Sequence, residues 1–88
     1  MIEEKFKITY IHGLQARPAT KLVSKANGFQ SEIFIEYNDR KVNLKSIMGV
    51  LSLGVPSQSK VKITISGSDE DDAFKAISRV ISDINEME

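Results

Sequence analysis

Gly13-Leu14-Gln15-Ala16-Arg17-Pro18 is the stretch from which the rest of the chain can be read. A glycine, a polar residue and then a proline read as a turn entering the first turn of a helix, where a residue without an N–H is tolerated. Ala19, Leu22, Val23 and Ala26 then recur at helical spacing until Asn27-Gly28 supplies a stop. The spacing predicts a first helix with Gln15 and Arg17 at its N-terminal edge. Unpaired backbone N–H groups and a partial positive charge gather there.

Upstream of that turn, Ile2, Phe6, Ile8 and Tyr10 fall on even positions with Lys5, Lys7 and Thr9 between them, the period of a half-buried strand running to Tyr10. Downstream, Ile33, Ile35 and Tyr37 share one face of a second strand. Asn38-Asp39 turns the chain, and a third strand returns with Val42 and Leu44. Ser46 is a good N-cap for a short helix to about Leu53, before Gly54 and Pro56 end it. Val61, Ile63 and Ile65 alternate with Lys60, Lys62 and Thr64 as a fourth strand. Ser68 or Asp69 caps a last helix with an acidic first turn and a stripe of Ala73, Phe74, Ile77, Val80, Ile81 and Ile84. The order is βαββαβα, an α+β fold. Four amphipathic strands and three helices bury their apolar faces as an open-faced β-sandwich, a four-stranded antiparallel sheet with the three helices on one face. No linker or repeat divides residues 1–88, so one domain is expected.

Bulk composition narrows the function classes. An 88-residue chain has room for one modest core, which favours a binding or handling module over an enzyme. Cysteine is absent and histidine occurs once, so thiolate chemistry and histidine-rich metal sites are not expected, and neither a metal nor another cofactor is called for. No stretch approaches the apolar length of a membrane span, and the start of the chain lacks a leader pattern, so a soluble cytoplasmic protein is expected. Net charge is zero, yet residues 1–62 hold ten Lys and Arg against five Asp and Glu, and residues 63–88 hold two against seven. Arg17, Lys21, Lys25, Lys41 and Lys45 would form a basic patch if the fold gathers them on one side.

A second segment, Asn43-Leu44-Lys45-Ser46-Ile47-Met48-Gly49-Val50, carries more apolar residues than one core face can take. At 100 degrees per residue Ile47, Val50 and Leu51 share an inward stripe and Val50 with Leu53 another, while Met48 falls outside both. An exposed, adaptable Met beside a serine at a helix start reads as a docking surface. From the residues alone Ser46 reads first as an N-cap, and only second as a cap that also accepts a phosphate.

Together the two segments resemble the active-site turn and the regulatory-serine helix of the HPr family of the sugar phosphotransferase system. The resemblance implies that Gln15 occupies the place of the family's phospho-accepting histidine. A carboxamide nitrogen, its lone pair delocalised into the carbonyl, cannot take over that chemistry. It also implies that Ser46 is the target of HPr kinase/phosphorylase. A Gln at that place with the serine segment intact is similar to the catabolite-repression branch of the family (Crh), whose serine-phosphorylated form acts as corepressor of catabolite control protein A, a lactose-repressor-type regulator. Gln15, Arg17, Lys45, Ile47, Met48 and Leu51 would then form the partner-binding surface, with no catalytic residue and no direct nucleic-acid contact.

The rival reading is the HPr phosphocarrier itself, or a His-to-Gln variant of it. His12 is the one histidine that could replace the missing nucleophile, but a residue ahead of Gly13 is expected to sit away from the helix N-terminus. The element order also matches an RNA-recognition module, which needs stacking aromatics that the third strand, Arg40-Lys41-Val42-Asn43-Leu44, does not have. Oligomeric state stays open between a monomer and a homodimer that exchanges its first strand.

Overall fold

The computed structural model describes residues 1–87; Glu88, the last residue of the expected single domain, lies outside them. The elements are β1 (Ile2–Ile8), α1 (Ala16–Ala26), β2 (Glu32–Tyr37), β3 (Arg40–Asn43), α2 (Ile47–Leu53), β4 (Ser59–Ser66) and α3 (Glu70–Asn85). The four strands form one antiparallel sheet in the order β1-β4-β2-β3. The βαββαβα order and the single sheet agree with the pattern expected from the strand and helix periods.

Alternation along the strands assigns the two faces. Ile33, Ile35, Val61, Ile63 and Ile65 are buried beneath the helices with Ile8. On α1, Pro18, Ala19, Leu22, Val23 and Ala26 form the buried stripe, and on α3 the stripe is Ala73, Ile77, Val80, Ile81 and Ile84. Each fully buried aliphatic side chain of this set stabilises the fold by about 1.5–3 kcal/mol relative to exposure. The β2–β3 hairpin closes through Asn38 and Asp39 at φ 53° and 64°, both positive as a tight two-residue turn requires.

Two strand boundaries differ from the expected ones, and one expected cap makes no capping bond. β1 stops at Ile8, because the Thr9 and Tyr10 N–H groups donate to the Asn85 side chain, at 2.8 and 3.3 Å, instead of continuing a ladder. Tyr10 is nevertheless buried. β3 ends at Asn43, although Leu44 N–H still donates to Ile33 O at 2.9 Å and its side chain is fully buried. Asp69 stands at the N-cap position of α3 but makes no side-chain capping bond. Its carboxylate is drawn away to Gln30 N–H at 2.8 Å, Ser31 N–H at 2.9 Å and the Ser31 hydroxyl.

Candidate functional site

The turn ahead of α1 and the chain leaving α2 are one unit. Gly13 adopts φ +65°, and its N–H donates to Tyr10 O at 2.9 Å. Leu14 N–H donates to Val55 O, also at 2.9 Å. A Cβ on Gly13 would overlap Val55 O and the Pro56 backbone, so this position needs glycine both for its dihedral and for the close approach.

Gln15 follows as the N-cap of α1, with extended φ −84° and ψ −170°, and Ala19 N–H donates to its carbonyl at 2.9 Å. Its side chain makes no capping bond and is exposed, as is Arg17. The expected placement of both at the N-terminal edge of α1 is therefore observed. No acidic residue stands in the first turn of α1. The amide of Gln15 thus faces water at the positive end of a helix without closing it off.

Ser46 caps α2 as its sequence context predicts: Gly49 N–H donates to Ser46 Oγ at 3.1 Å, and Val50 N–H to Ser46 O at 3.0 Å. Gly49 also gives the serine room, since a Cβ there would stand 3.3 Å from Ser46 Oγ. Met48 is 76% exposed, outside the core as its helical angle requires, whereas Val50 and Leu53 are buried and Ile47 is half-buried. Leu51 departs from its expected inward stripe and is exposed, at 38%. It turns instead into a shallow depression of about 540 Å³ whose rim includes Gln15, Ala16, Val55 and Pro56. Leu51 is thereby the side chain that joins the α2 surface to the start of α1.

Two residues change standing in the structure. Lys45, expected to face a partner freely, is half-buried and donates one ammonium hydrogen to Phe29 O at 2.7 Å. His12 is not remote from the helix start: it shares a depression of about 200 Å³ with Gln15, Ala16 and Arg17, its ring set edge-on to Tyr10 at 5.5 Å. The anticipated separation fails because the Gly13 turn folds the chain back through its Tyr10 bond. Ile11, 75% exposed on the rim of the larger depression, was not among the anticipated surface residues. Its exposure comes from the turn that follows β1, which a strand read as running to Tyr10 does not anticipate.

The expected basic patch is divided. Arg17, Lys21 and Lys25 are exposed at four-residue intervals along α1, but Lys41 lies on the opposite face of the sheet, its Nζ 4.9 Å from the Phe34 ring centroid. No helix among the described residues is long and apolar enough to cross a membrane, and these residues contain no cluster of His, Cys, Asp and Glu able to hold a metal.

Known proteins share this fold. A protein-family model described as "PTS HPr component phosphorylation site" matches residues 2–83. HPr-C-His from Thermoanaerobacter tengcongensis is 42% identical with a TM-score of 0.94, the match covering 100% of this chain and 99% of that one. The phosphocarrier protein HPr of Bacillus anthracis is 40% identical, with a TM-score of 0.84 and coverage of 90% and 94%. Crh, a catabolite-repression protein of Bacillus subtilis found as a dimer with a swapped domain, is 38% identical, with a TM-score of 0.74 and coverage of 96% and 97%. HPr proteins are phosphocarriers and not enzymes. With the turn before α1 and the serine-capped α2 inside one continuous match, this chain belongs to the HPr family.

Proposed function

We propose that this chain is a regulatory cytoplasmic member of the family: HPr kinase/phosphorylase phosphorylates Ser46, and the modified form acts as corepressor of catabolite control protein A. The observation that carries this reading is the contrast between two exposed helix starts. Gln15 at α1 offers no nucleophile, while Ser46 at α2 offers a hydroxyl oxygen that is only singly engaged, by Gly49 N–H. Transfer of the γ-phosphoryl group of ATP to Ser46 Oγ releases ADP and the hydroxyl proton. The product carries close to two negative charges at neutral pH, beside the backbone N–H groups of the α2 N-terminus. Exposed Met48 and half-buried Ile47 follow it on α2, and exposed Leu51, Gln15 and Arg17 would extend the charged and apolar epitope towards the start of α1. Lys45, tied to Phe29, holds the residue before Ser46 in place and contributes charge from one side. Basic residues of the regulator would read the phosphate through charge-assisted hydrogen bonds.

Mass spectrometry after incubation with HPr kinase and ATP tests the first step, with phosphate expected on Ser46. Ser46→Ala should abolish the modification and weaken the regulator complex by about tenfold or more. An Ala variant that binds the regulator as tightly as phosphorylated wild type overturns the reading.

One observation favours a second reading, phosphocarrier activity through His12, since that imidazole lies in the same depression as Arg17 and the α1 start. Incubation with phosphoenolpyruvate and the general phosphotransferase enzyme separates the two. Acid-labile phosphate on His12 supports the carrier, and its absence leaves the regulatory role. The swapped-domain dimer of Crh supports a homodimer as the alternative to a monomer for this chain, and exchange of β1 is the form we propose for it. Sedimentation at one monomer mass over a wide concentration range would exclude it.

A further inference from the structure

The face of the sheet turned away from the helices carries a charge arrangement that plays no part in the epitope around Ser46. Register places Lys5 directly opposite Lys62 and Lys7 directly opposite Lys60, on β1 and β4. Directly opposed like charges weaken a strand pair. Local carboxylates leave most of this repulsion in place, because Glu36 and Glu3 both approach the same ammonium, Lys62 Nζ, at 3.6 and 4.0 Å. Among the described residues Lys5, Lys7 and Lys60 have no ion pair, and all three side chains are exposed. Lysines on a sheet edge deter pairing with foreign strands, which accounts for Lys5 and Lys7. It does not account for Lys60 and Lys62, since β4 is an inner strand between β1 and β2.

We propose that this block of four lysines is a docking surface for an extended acidic polypeptide segment, separate from the Ser46 surface. Alternate residues of a strand stand about 6.7 Å apart. An extended partner presents every second side chain to one side at that same interval, so its carboxylates meet Lys5 and Lys7, or Lys60 and Lys62, in step. Nucleic acid fits this face less well. Phe34 on this side is half-buried with Lys41 already over its ring, so no free aromatic face is offered for a base to stack on. Because the helices cover the other face, a segment held here leaves Ser46 and Met48 open.

The test is a titration of isotope-labelled protein with a synthetic peptide alternating Glu and Ser, followed by amide shifts at low salt and at about 0.15 M. Shifts centred on residues 5, 7, 60 and 62 that weaken with salt are expected. Shifts centred on Arg17, Lys21 and Lys25, or none at low salt, overturn the proposal, as does tighter binding of single-stranded oligothymidylate to the lysine block. Lys7→Glu sharpens the test by placing a carboxylate opposite Lys60. It should raise the melting temperature by about 1–4 °C while weakening the peptide about fivefold or more. Unchanged peptide affinity in that folded variant would also overturn the docking surface.

Discussion

Asn85, in the last turn of α3, binds the backbone of Thr9 across the end of β1: its Oδ1 accepts from Thr9 N–H at 2.8 Å and from Tyr10 N–H at 3.3 Å, while its Nδ2 donates to Lys7 O at 2.8 Å. One side chain therefore ends the strand and aims the chain towards Gly13. Asn85→Ala should destabilise the fold by about 1–3 kcal/mol, because three backbone groups lose their partner together. Asn85→Asp keeps the two acceptor bonds but sets a carboxylate oxygen against Lys7 O, where the amide donated, and adds negative charge in the last turn of α3, so its loss should be no smaller. Urea unfolding of both variants checks the order.

Gly13→Ala should be worse tolerated than any surface change at the site. The alanine must hold a positive φ and push its Cβ into Val55 O at the same time. A loss of about 2 kcal/mol or more is expected, a fall of roughly 10 °C in melting temperature. The expected spectral signature is local, with amide shifts near residues 11–16 and 54–57, since the Leu14 bond to Val55 O transmits the displacement.

Acid stability should depend on Asp69. The hydrogen bond from the Ser31 hydroxyl, followed by that from Gln30 N–H, holds its carboxyl below the ordinary value of 3.8. Between the native and ordinary values the unfolded chain binds more protons, so stability rises with pH there. The contribution is fully present above the ordinary value and is lost as the pH falls through the lowered native one. Asp69→Asn should flatten this part of the profile, measured as the urea midpoint against pH.

The sheet and helices were legible because each strand repeats with period two and each long helix carries one apolar stripe, so Ile33, Ile35, Ile63 and Ile65 could be assigned a face without knowing their neighbours. The Ser46 cap was legible for a similar reason: a cap is local, and Gly49 stands three residues away. What the pattern missed depends on distant partners. Asn85 and Thr9 are 76 positions apart, and no periodicity links an asparagine in a helix to a strand end. Lys41 was grouped with the α1 lysines by charge alone, although alternation with Val42 already turns it to the other side of the sheet. Ser68 or Asp69 was expected to cap α3; Asp69 takes that position, but the Ser31 backbone and hydroxyl engage its oxygens in place of the helix N–H groups. His12 was placed too far from α1 because the tight φ +65° fold at Gly13 brings residues three apart onto one rim.

Gly54 closes α2 at φ +60°, and a Cβ built there meets nothing within 4 Å. Unlike Gly13, this glycine serves handedness and not room. A D-alanine introduced by chemical synthesis would favour that dihedral, and its methyl would restrict the unfolded chain more than the native one. The helix that begins at Ser46 could thus be secured from its far end by one methyl of D configuration, leaving every side chain of its exposed surface as it is.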